Sequence, residues 1–332
     1  MNARRLLCTD IRKIEVKPLE IGQVPDDGLL IENQYTAVSV GTEIHNYTQG
    51  GEPGQKPSFP KGTGYCNVGK VLEVGKEIQG FEPGDRVAGQ GMHASHSILS
   101  GTQSFYQKVP EGVSSKSAAF MVMAAIAIHG IRVARIELGE TVVVVGQGIV
   151  GQLAATLARL SGGTPIVAVD LDPFRLERSR NRGVDVCLNP KDIHNLREAV
   201  LPHCVEDGAN VVIEATGIAA VYPMAVPLAC LGGRMVALGS PRGSVEMDFL
   251  SDIHLREVSI LGAHQPKTPD QDHIYYRWSK DRDRKLVMKL IASGKLPVED
   301  LITHVAKPEA CQEIYTMLAE SPRGVLGVVF EW

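Results

Sequence analysis

The stretch Thr141-Val-Val-Val-Val-Gly-Gln-Gly-Ile-Val-Gly151 decides the fold predicted for this chain of 332 residues. Its continuous β-branched run is typical of a parallel strand that is covered on both faces. Gly146, Gly148 and Gly151 follow that strand directly and open a predicted helix over 149–160. These glycines allow a tight turn, a close backbone approach to a pyrophosphate, and close packing of the helix on the strand. The stretch therefore predicts a dinucleotide-binding unit.

A carboxylate stands where such a unit contacts the adenine ribose. Asp170 ends the next predicted strand, and a carboxylate there accepts hydrogen bonds from ribose hydroxyls and repels a 2′-phosphate, which favours NAD. Arg175 and Arg178 keep NADP open as the alternative, because a nearby arginine can accommodate that phosphate. Other contacts are expected at the carboxyl ends of the parallel strands. The predicted cofactor-binding residues are Gly146, Gly148, Ile149, Val150, Gly151, Asp170, Leu171, Arg175, Thr216, Gly217, Leu238, Gly239, Leu261 and Ala263.

Strand and helix patterns alternate on both sides of this stretch. The predicted helices include 173–182 and 221–230, and the predicted strands include 211–214 and 233–238. Such alternation predicts an α/β fold with a doubly wound parallel sheet. The first third of the chain instead contains short strand patterns that are punctuated by glycine and proline, which predicts a second, β-rich domain.

The composition excludes several classes of partner. Hydrophobic residues make up 44% of the chain and charged residues 22%, which is typical of a soluble globular protein. A formal net charge of −4 and an aromatic content of 5% argue against a nucleic-acid partner. The longest apolar run, 118–128, is shorter than the about 20 residues that span a bilayer, so no membrane partner is expected. With six cysteines and no CxxC pair, we expect reduced thiols and a cytoplasmic location.

Five further motifs accompany the glycine pattern: Val40-Gly-Thr-Glu43-Ile-His45, Gly64-Tyr-Cys-Asn-Val-Gly69-Lys-Val71, Gly84-Asp-Arg-Val87, Val109-Pro-Glu-Gly112 and Glu214-Ala-Thr-Gly217. In their order and spacing, the sequence resembles the medium-chain dehydrogenase/reductase family, which contains the zinc alcohol and polyol dehydrogenases. The resemblance implies a GroES-like catalytic domain over 1–117 and 266–332, a Rossmann-type domain over 118–265, and a homodimer or homotetramer.

The departures from the family concern its metal sites. The zinc members carry a cysteine where this chain has Val40, a His-Glu pair where it has Tyr65-Cys66, and a third ligand near Val122. Valine cannot ligate a metal, and a catalytic zinc needs three protein ligands. The segment 91–106 also lacks the four cysteines of the family's structural zinc lobe. We therefore expect a zinc-independent member, and the alternative is an unconventional metal site drawn from Glu43, His45, Cys66, His93 and His96.

Without zinc, a side chain must handle the proton of an alcohol hydroxyl. Tyr65, at a family metal-ligand position, is the first candidate, as a hydrogen-bond partner or, with a lowered pKa, as a base. The alternative is a buried tyrosine that only packs against the floor of the cleft. His45 stands where the family often has a proton-relaying histidine. Glu43 is expected to orient Tyr65 or His45, to act as a base if burial raises its pKa, or to form a structural salt bridge. His93 is preferred over His96 as a residue that borders the substrate, because positions three apart rarely share one face of a strand.

Three hypotheses for the function follow. The first is a zinc-independent dehydrogenase that transfers hydride from a secondary alcohol, such as a polyol, cyclitol or sugar, to NAD. The second is an NAD(P)H-dependent reductase of a carbonyl or an activated C=C bond. The third is a non-catalytic NAD-binding protein, because a fold does not by itself specify an activity. A small hydroxyl-bearing substrate is implied by the resemblance alone.

Overall fold

The computed structural model describes residues 2–50, 56–100, 106–271, 274, 276–320 and 323–332. The chain forms two compact units. The terminal unit contains Met1–Ala125 and Pro269–Trp332, and the central unit contains Ile126–Thr268. The domain boundaries predicted from the sequence, at 117/118 and 265/266, stay a prediction.

The N-terminal part of the terminal unit is rich in short strands that are joined by turns. Its centre is a strand of ten residues, β3, which pairs antiparallel with β5 and β7. In chain order the elements are β1 (Arg4–Asp10), β2 (Lys13–Pro18), β3 (Gly28–Ala37), α1 (Val40–Gln49), β4 (Lys61–Gly62), β5 (Asn67–Val74), β6 (Arg86–Gly89), β7 (His96–Ser100), β8 (Tyr106–Lys108), α2 (Ser115–Ala118) and α3 (Met121–Ala134).

The central unit has a parallel sheet whose strands alternate with helices. In chain order they are β9 (Val142–Val145), α4 (Ile149–Leu160), β10 (Ile166–Val169), α5 (Pro173–Asn181), β11 (Val186–Leu188), α6 (Leu196–Val200), β12 (Ala209–Glu214), α7 (Tyr222–Ala225), β13 (Ala229–Ala237) and β14 (Ser259–Gly262). Within the described residues the strand order is β11-β10-β9-β12-β13-β14. This is the order of a Rossmann-type sheet, and the strand order reverses between β9 and β12. Every residue of β9 is buried, as its apolar run predicts.

The C-terminal segment completes the terminal unit. It contains α8 (Lys280–Ala292), β15 (Ile302–Ala306), α9 (Cys311–Glu320) and β16 (Gly327–Glu331). β16 pairs antiparallel with β3, so the end of the chain joins the N-terminal sheet. α9 contributes Tyr315 and Leu318 to a core that also contains Leu6, Ile14 and Phe330. The α/β fold class, with a Rossmann-type sheet and a GroES-like β-rich part, is confirmed.

One predicted helix is wrong. The sequence predicts a helix over 221–230, but the structure has only the single turn of α7 followed by a 3-10 turn, Val226–Leu228, and β13 begins at Ala229. Pro227 lies inside the predicted helix, where proline lacks the backbone N–H and clashes with the preceding turn. The chain therefore leaves the helix early and enters the buried strand.

Candidate active site

The glycine turn of the central unit has the geometry of a phosphate cradle. Gly146 has a φ of 91°, and a Cβ there would lie 2.7 Å from the Thr216 side chain. A Cβ on Gly151 would lie 1.8 Å from the carbonyl oxygen of Gly146. Gly148 is the N-cap of α4 and has open space where its Cβ would lie. The backbone amides at the start of α4 can therefore approach an anion closely.

Asp170 lies directly after β10 and is held by backbone amides. Its Oδ2 accepts a hydrogen bond from Gln147 N at 2.6 Å, and its Oδ1 accepts one from Asp172 N at 2.8 Å. Arg175 Nη1 lies 4.0 Å from the same Oδ2. The carboxylate is thus placed with a defined orientation at the end of the strand, beside the glycine turn, as a ribose-binding residue requires.

Six other predicted cofactor-binding residues lie at or directly after the carboxyl ends of β12, β13 and β14: Thr216, Gly217, Leu238, Gly239, Leu261 and Ala263. The Glu214 carboxylate holds the turn that follows β12. It accepts hydrogen bonds from Thr216 N at 2.7 Å, from the Thr216 hydroxyl, and from Gly217 N at 3.3 Å. A Cβ on Gly239 would lie 2.2 Å from Gly217 N, so the two strand ends meet. Leu238 and Ala263 are buried, Ile149 is buried, Val150 and Leu261 are half-buried, and Leu171 is exposed.

The terminal unit contains a buried polar cluster around the Glu43 carboxylate. Among the described residues, Oε1 accepts a hydrogen bond from Ser39 N at 2.7 Å, and Oε2 accepts hydrogen bonds from Thr63 Oγ1 at 2.7 Å, from His93 Nε2 at 2.9 Å and from the Tyr315 hydroxyl. Glu43 and His93 are 2% and 0% exposed. We call these five residues the Glu43 cluster. It contains two predicted site residues, Glu43 and His93, in direct contact.

The Glu43 cluster keeps its carboxylate ionised. Burial by itself raises the pKa of Glu43, but the facing His93 ring and the hydrogen bonds from His93, Tyr315 and Thr63 together lower that pKa below its usual value. The condition under which Glu43 was expected to act as a base, a pKa raised by burial, is therefore not met. The structural contact that was its alternative is present, because His93 Nε2 lies 2.9 Å from Glu43 Oε2.

Tyr65 lies beside the Glu43 cluster and contacts it through Ser39. Its hydroxyl forms a hydrogen bond with Ser39 Oγ, and a second one with the Thr42 side chain. Burial raises the pKa of Tyr65, and the hydrogen bonds from Ser39 and Thr42 only partly oppose that rise. The lowered pKa on which a Tyr65 base depended is therefore absent. Donation of a hydrogen bond by the neutral phenol to a substrate stays a prediction, as does its alternative, a tyrosine that only packs in the cleft.

The predicted histidines occupy different environments. His93 lies in the core, with Nδ1 2.6 Å from Thr36 Oγ1 and its ring edge-on to Phe330 at 5.3 Å between centroids. His96 begins β7 and is half-buried, whereas His93 precedes that strand, so the argument from two faces of one strand does not apply. His93 is fully buried, which does not support its expected place beside the substrate. His45 is half-buried on α1, two positions after Glu43. Helical residues two positions apart do not face each other, so Glu43 does not orient His45.

The positions that correspond to family metal ligands do not fit a zinc ion. Val40 and Val122 have no lone pair to donate, and the Tyr65 hydroxyl is bonded to Ser39. Cys66 is fully buried. Its burial and, to a smaller extent, the charge of Glu43 raise the pKa of its thiol well above the usual value. Within the described residues, no group of three or more His, Cys, Asp or Glu could hold a metal ion.

Ser39, Thr63 and Tyr315 are not among the site residues predicted from the sequence. Ser39 directly precedes α1 and has the residue type of a helix N-cap, which is the only local signal among the three. Tyr315 lies 272 positions from Glu43 along the chain, so no spacing rule relates them. These residues are recognisable as part of a site only once the chain is folded.

Comparisons with known proteins agree with this architecture. Residues 25–120 match the family described as alcohol dehydrogenase GroES-like domain, and residues 150–281 match zinc-binding dehydrogenase. The chain is 30% identical over 246 residues to D-guloside 3-dehydrogenase of Escherichia coli, which covers 72% of this chain and 68% of that protein. The chain belongs to the medium-chain zinc-type alcohol and polyol dehydrogenase family. It is therefore an enzyme that interconverts an alcohol and the corresponding carbonyl compound. This confirms the prediction of an alcohol or polyol dehydrogenase.

Two further members of this family extend the comparison. Sorbitol dehydrogenase 1 of Saccharomyces cerevisiae is 26% identical over 309 residues, which is 83% of each chain. The crystal structure of galactitol-1-phosphate dehydrogenase from Escherichia coli superposes with a TM-score of 0.85 at 16% identity, covering 99% of this chain and 100% of that one. At that identity the superposition shows the fold alone. Within the described residues of the present chain, no helix is long and apolar enough to cross a membrane.

Proposed function

We propose that the chain is a zinc-independent, NAD-dependent dehydrogenase of a secondary alcohol in a sugar, polyol or cyclitol. The observation that carries this proposal is the replacement of the metal-ligand set by Val40, Val122 and a hydrogen-bonded Tyr65. A bound nicotinamide would supply hydride chemistry, and the protein must position the reacting carbon and handle the proton. The names of the relatives, D-guloside 3-dehydrogenase and sorbitol dehydrogenase 1, favour a sugar or polyol substrate.

The nucleotide residues support NAD as the cofactor. The backbone amides at the start of α4 would hold the pyrophosphate, and the glycine turn leaves room for it. Asp170, with both oxygens fixed by backbone N–H groups, would bind the adenine ribose and repel a 2′-phosphate. Arg175 lies close enough to Asp170 to weaken that repulsion, so the preference for NAD is finite.

The acid–base roles follow from burial and hydrogen bonding. The neutral Tyr65 phenol would donate a hydrogen bond to the substrate oxygen, since its raised pKa keeps the proton on the hydroxyl. The same donor would polarise a carbonyl in the reverse direction, so oxidation and reduction use one geometry. In the oxidation direction the hydride would go to the nicotinamide, and His45, half-buried on α1, would accept the hydroxyl proton of the substrate and pass it to solvent.

Steady-state kinetics would test this proposal. NADH absorbance is followed with NAD or NADP over a panel of glycosides, polyols, cyclitols and simple alcohols, with and without a strong chelator. We expect turnover with NAD that the chelator does not change. Tyr65→Phe should lower kcat/KM about 100-fold, because a donor aimed at the reacting oxygen is lost. The matched control is Tyr35→Phe, which removes a half-buried hydroxyl that bonds to Glu331 instead. Turnover abolished by chelator would contradict zinc independence.

A self-association surface is proposed as well. β14 is the edge strand of the central sheet, and its Ile260 is 40% exposed. An exposed apolar edge strand is a template for pairing with another strand. Exposed Leu231, Phe249 and Leu255 also belong to this unit. These features support a homo-oligomer in which β14 contacts its equivalent in a second copy.

A further inference from the structure

We propose that Glu43 is a positioning residue for Tyr65, because its single carboxylate spans the two chain segments that carry the Ser39–Tyr65 hydroxyl pair. The inference rests on the proposed function of Tyr65 as the donor to the substrate oxygen. One oxygen of Glu43 accepts from Ser39 N, and the other accepts from Thr63 Oγ1. Thr63 lies two positions before Tyr65. The Tyr65–Ser39 hydrogen bond links the same two segments a second time, so both ends of that bond are connected through Glu43.

His93 holds the second of these segments from its other side. His93 N donates to the Thr63 carbonyl at 2.8 Å, and the His93 ring packs on Gly64. Gly64 has a φ of 86°, and a Cβ on it would lie 2.7 Å from that ring. The residue before Tyr65 must therefore be glycine for the ring to reach Glu43. Residues 63, 64 and 65 are thus held by the Glu43–His93 pair.

The Ser39 hydroxyl supports a role beyond helix stability. Ser39 is the N-cap of α1, where a serine hydroxyl ordinarily accepts a hydrogen bond from a backbone amide of the first turn. In this helix the N-cap side chain makes no such capping bond. The hydroxyl is directed to Tyr65, and Glu43 instead accepts the Ser39 backbone amide. The Ser39 hydroxyl therefore contacts the Tyr65 phenol and does not cap α1.

The remaining donor, Tyr315, ties this arrangement to the C-terminal helix. Its hydroxyl donates to Glu43 Oε2 and lies 2.9 Å from Thr63 Oγ1. Trp332 Nε1 donates at 2.9 Å to Thr36 Oγ1, which contacts His93 Nδ1. Both anchors come from the end of the chain, so the position of Tyr65 depends on residues that lie far from it in sequence.

The experiment places 3-fluorotyrosine at position 65 of the full chain and follows its ¹⁹F resonance without cofactor or substrate. Ser39→Ala removes the direct partner and defines the displaced signal. We expect Glu43→Gln to move or broaden the resonance in the same way, because either orientation of the amide places an NH₂ group against a donor. Tyr315→Phe should move it less, in the same direction. The matched control is Tyr47→Phe, whose hydroxyl contacts Gln312 and Thr316 rather than Glu43.

The kinetic readout separates positioning from binding. Glu43→Gln should lower kcat about tenfold to 100-fold while KM for the cofactor stays within about twofold, because misplacement of a reacting group affects mainly the chemical step. An unmoved ¹⁹F resonance in folded Glu43→Gln would overturn the inference. If that variant does not fold, an unmoved resonance in Tyr315→Phe would do so. A wild-type chain that turns over no substrate would instead contradict the proposed function, and the resonance would still decide the role of Glu43.

Discussion

Replacing Glu43 by glutamine should strongly destabilise the terminal unit. The carboxylate accepts hydrogen bonds from Ser39, Thr63, His93 and Tyr315 in the described structure, and it is 2% exposed. An amide offers one oxygen, so at least one buried donor loses its acceptor, at about 1–3 kcal/mol. The remaining hydrogen bonds lose the charge of their acceptor, and hydrogen bonds to a charged group contribute about 1.5–3 kcal/mol each. We expect a loss of about 3–5 kcal/mol in the free energy of unfolding.

Urea unfolding followed by tryptophan fluorescence measures this loss. Both tryptophans, Trp278 and Trp332, belong to the terminal unit, so the signal reports the unit that contains Glu43. Tyr315→Phe removes one donor and leaves the carboxylate its other partners, so about 1–2 kcal/mol is expected. Tyr47→Phe, in the same core, should cost less than Tyr315→Phe. A loss below about 1 kcal/mol for Glu43→Gln, at an unchanged slope with urea, would refute the reasoning.

The same variant has a pH signature. The fold lowers the pKa of Glu43, so the carboxylate contributes stability above its unfolded pKa of about 4.3 and loses it as the pH falls through the folded pKa. The stability difference between wild type and Glu43→Gln should therefore be complete at neutral pH and shrink in acid. A difference that stays constant down to the acid transition would show that the charge of Glu43 is not the source.

Three other predictions concern the central unit. Asp170→Ser should raise the ratio of kcat/KM with NADP to that with NAD about 10- to 100-fold, because a like charge at close range is removed; an unchanged ratio in steady-state kinetics would contradict this. Gly151→Ala should weaken NADH binding at least about tenfold by fluorescence titration, because its Cβ would lie 1.8 Å from Gly146 O, whereas Gly22→Ala, with open space around its Cβ, should bind normally. Ile260→Lys should lower the oligomeric state in analytical ultracentrifugation, and an unchanged mass would exclude β14 as the contact.

Local sequence patterns predicted the central unit well, because most of its strands and helices are specified by residues that are adjacent in the chain. The helix predicted over 149–160 and the strand that directly precedes Asp170 are confirmed, since each depends on neighbouring residues. The helix predicted over 221–230 was wrong because Pro227 interrupts it and because the apolar run there also suits a buried strand. β13 begins at Ala229, which pairs with Ala209 of β12.

The sequence by itself determined the Rossmann-type unit, because that depends on residue identity at neighbouring positions, and it supplied the valines and the tyrosine on which the proposal of zinc independence rests. It did not determine the protonation of Glu43 and Tyr65. For Glu43 that depends on its burial, on the facing His93 ring and on hydrogen bonds from His93, Tyr315 and Thr63. For Tyr65 it depends on its burial and on hydrogen bonds with Ser39 and Thr42. Burial and hydrogen bonding shift a pKa in opposite directions, and only the tertiary structure shows which effect is larger for each group.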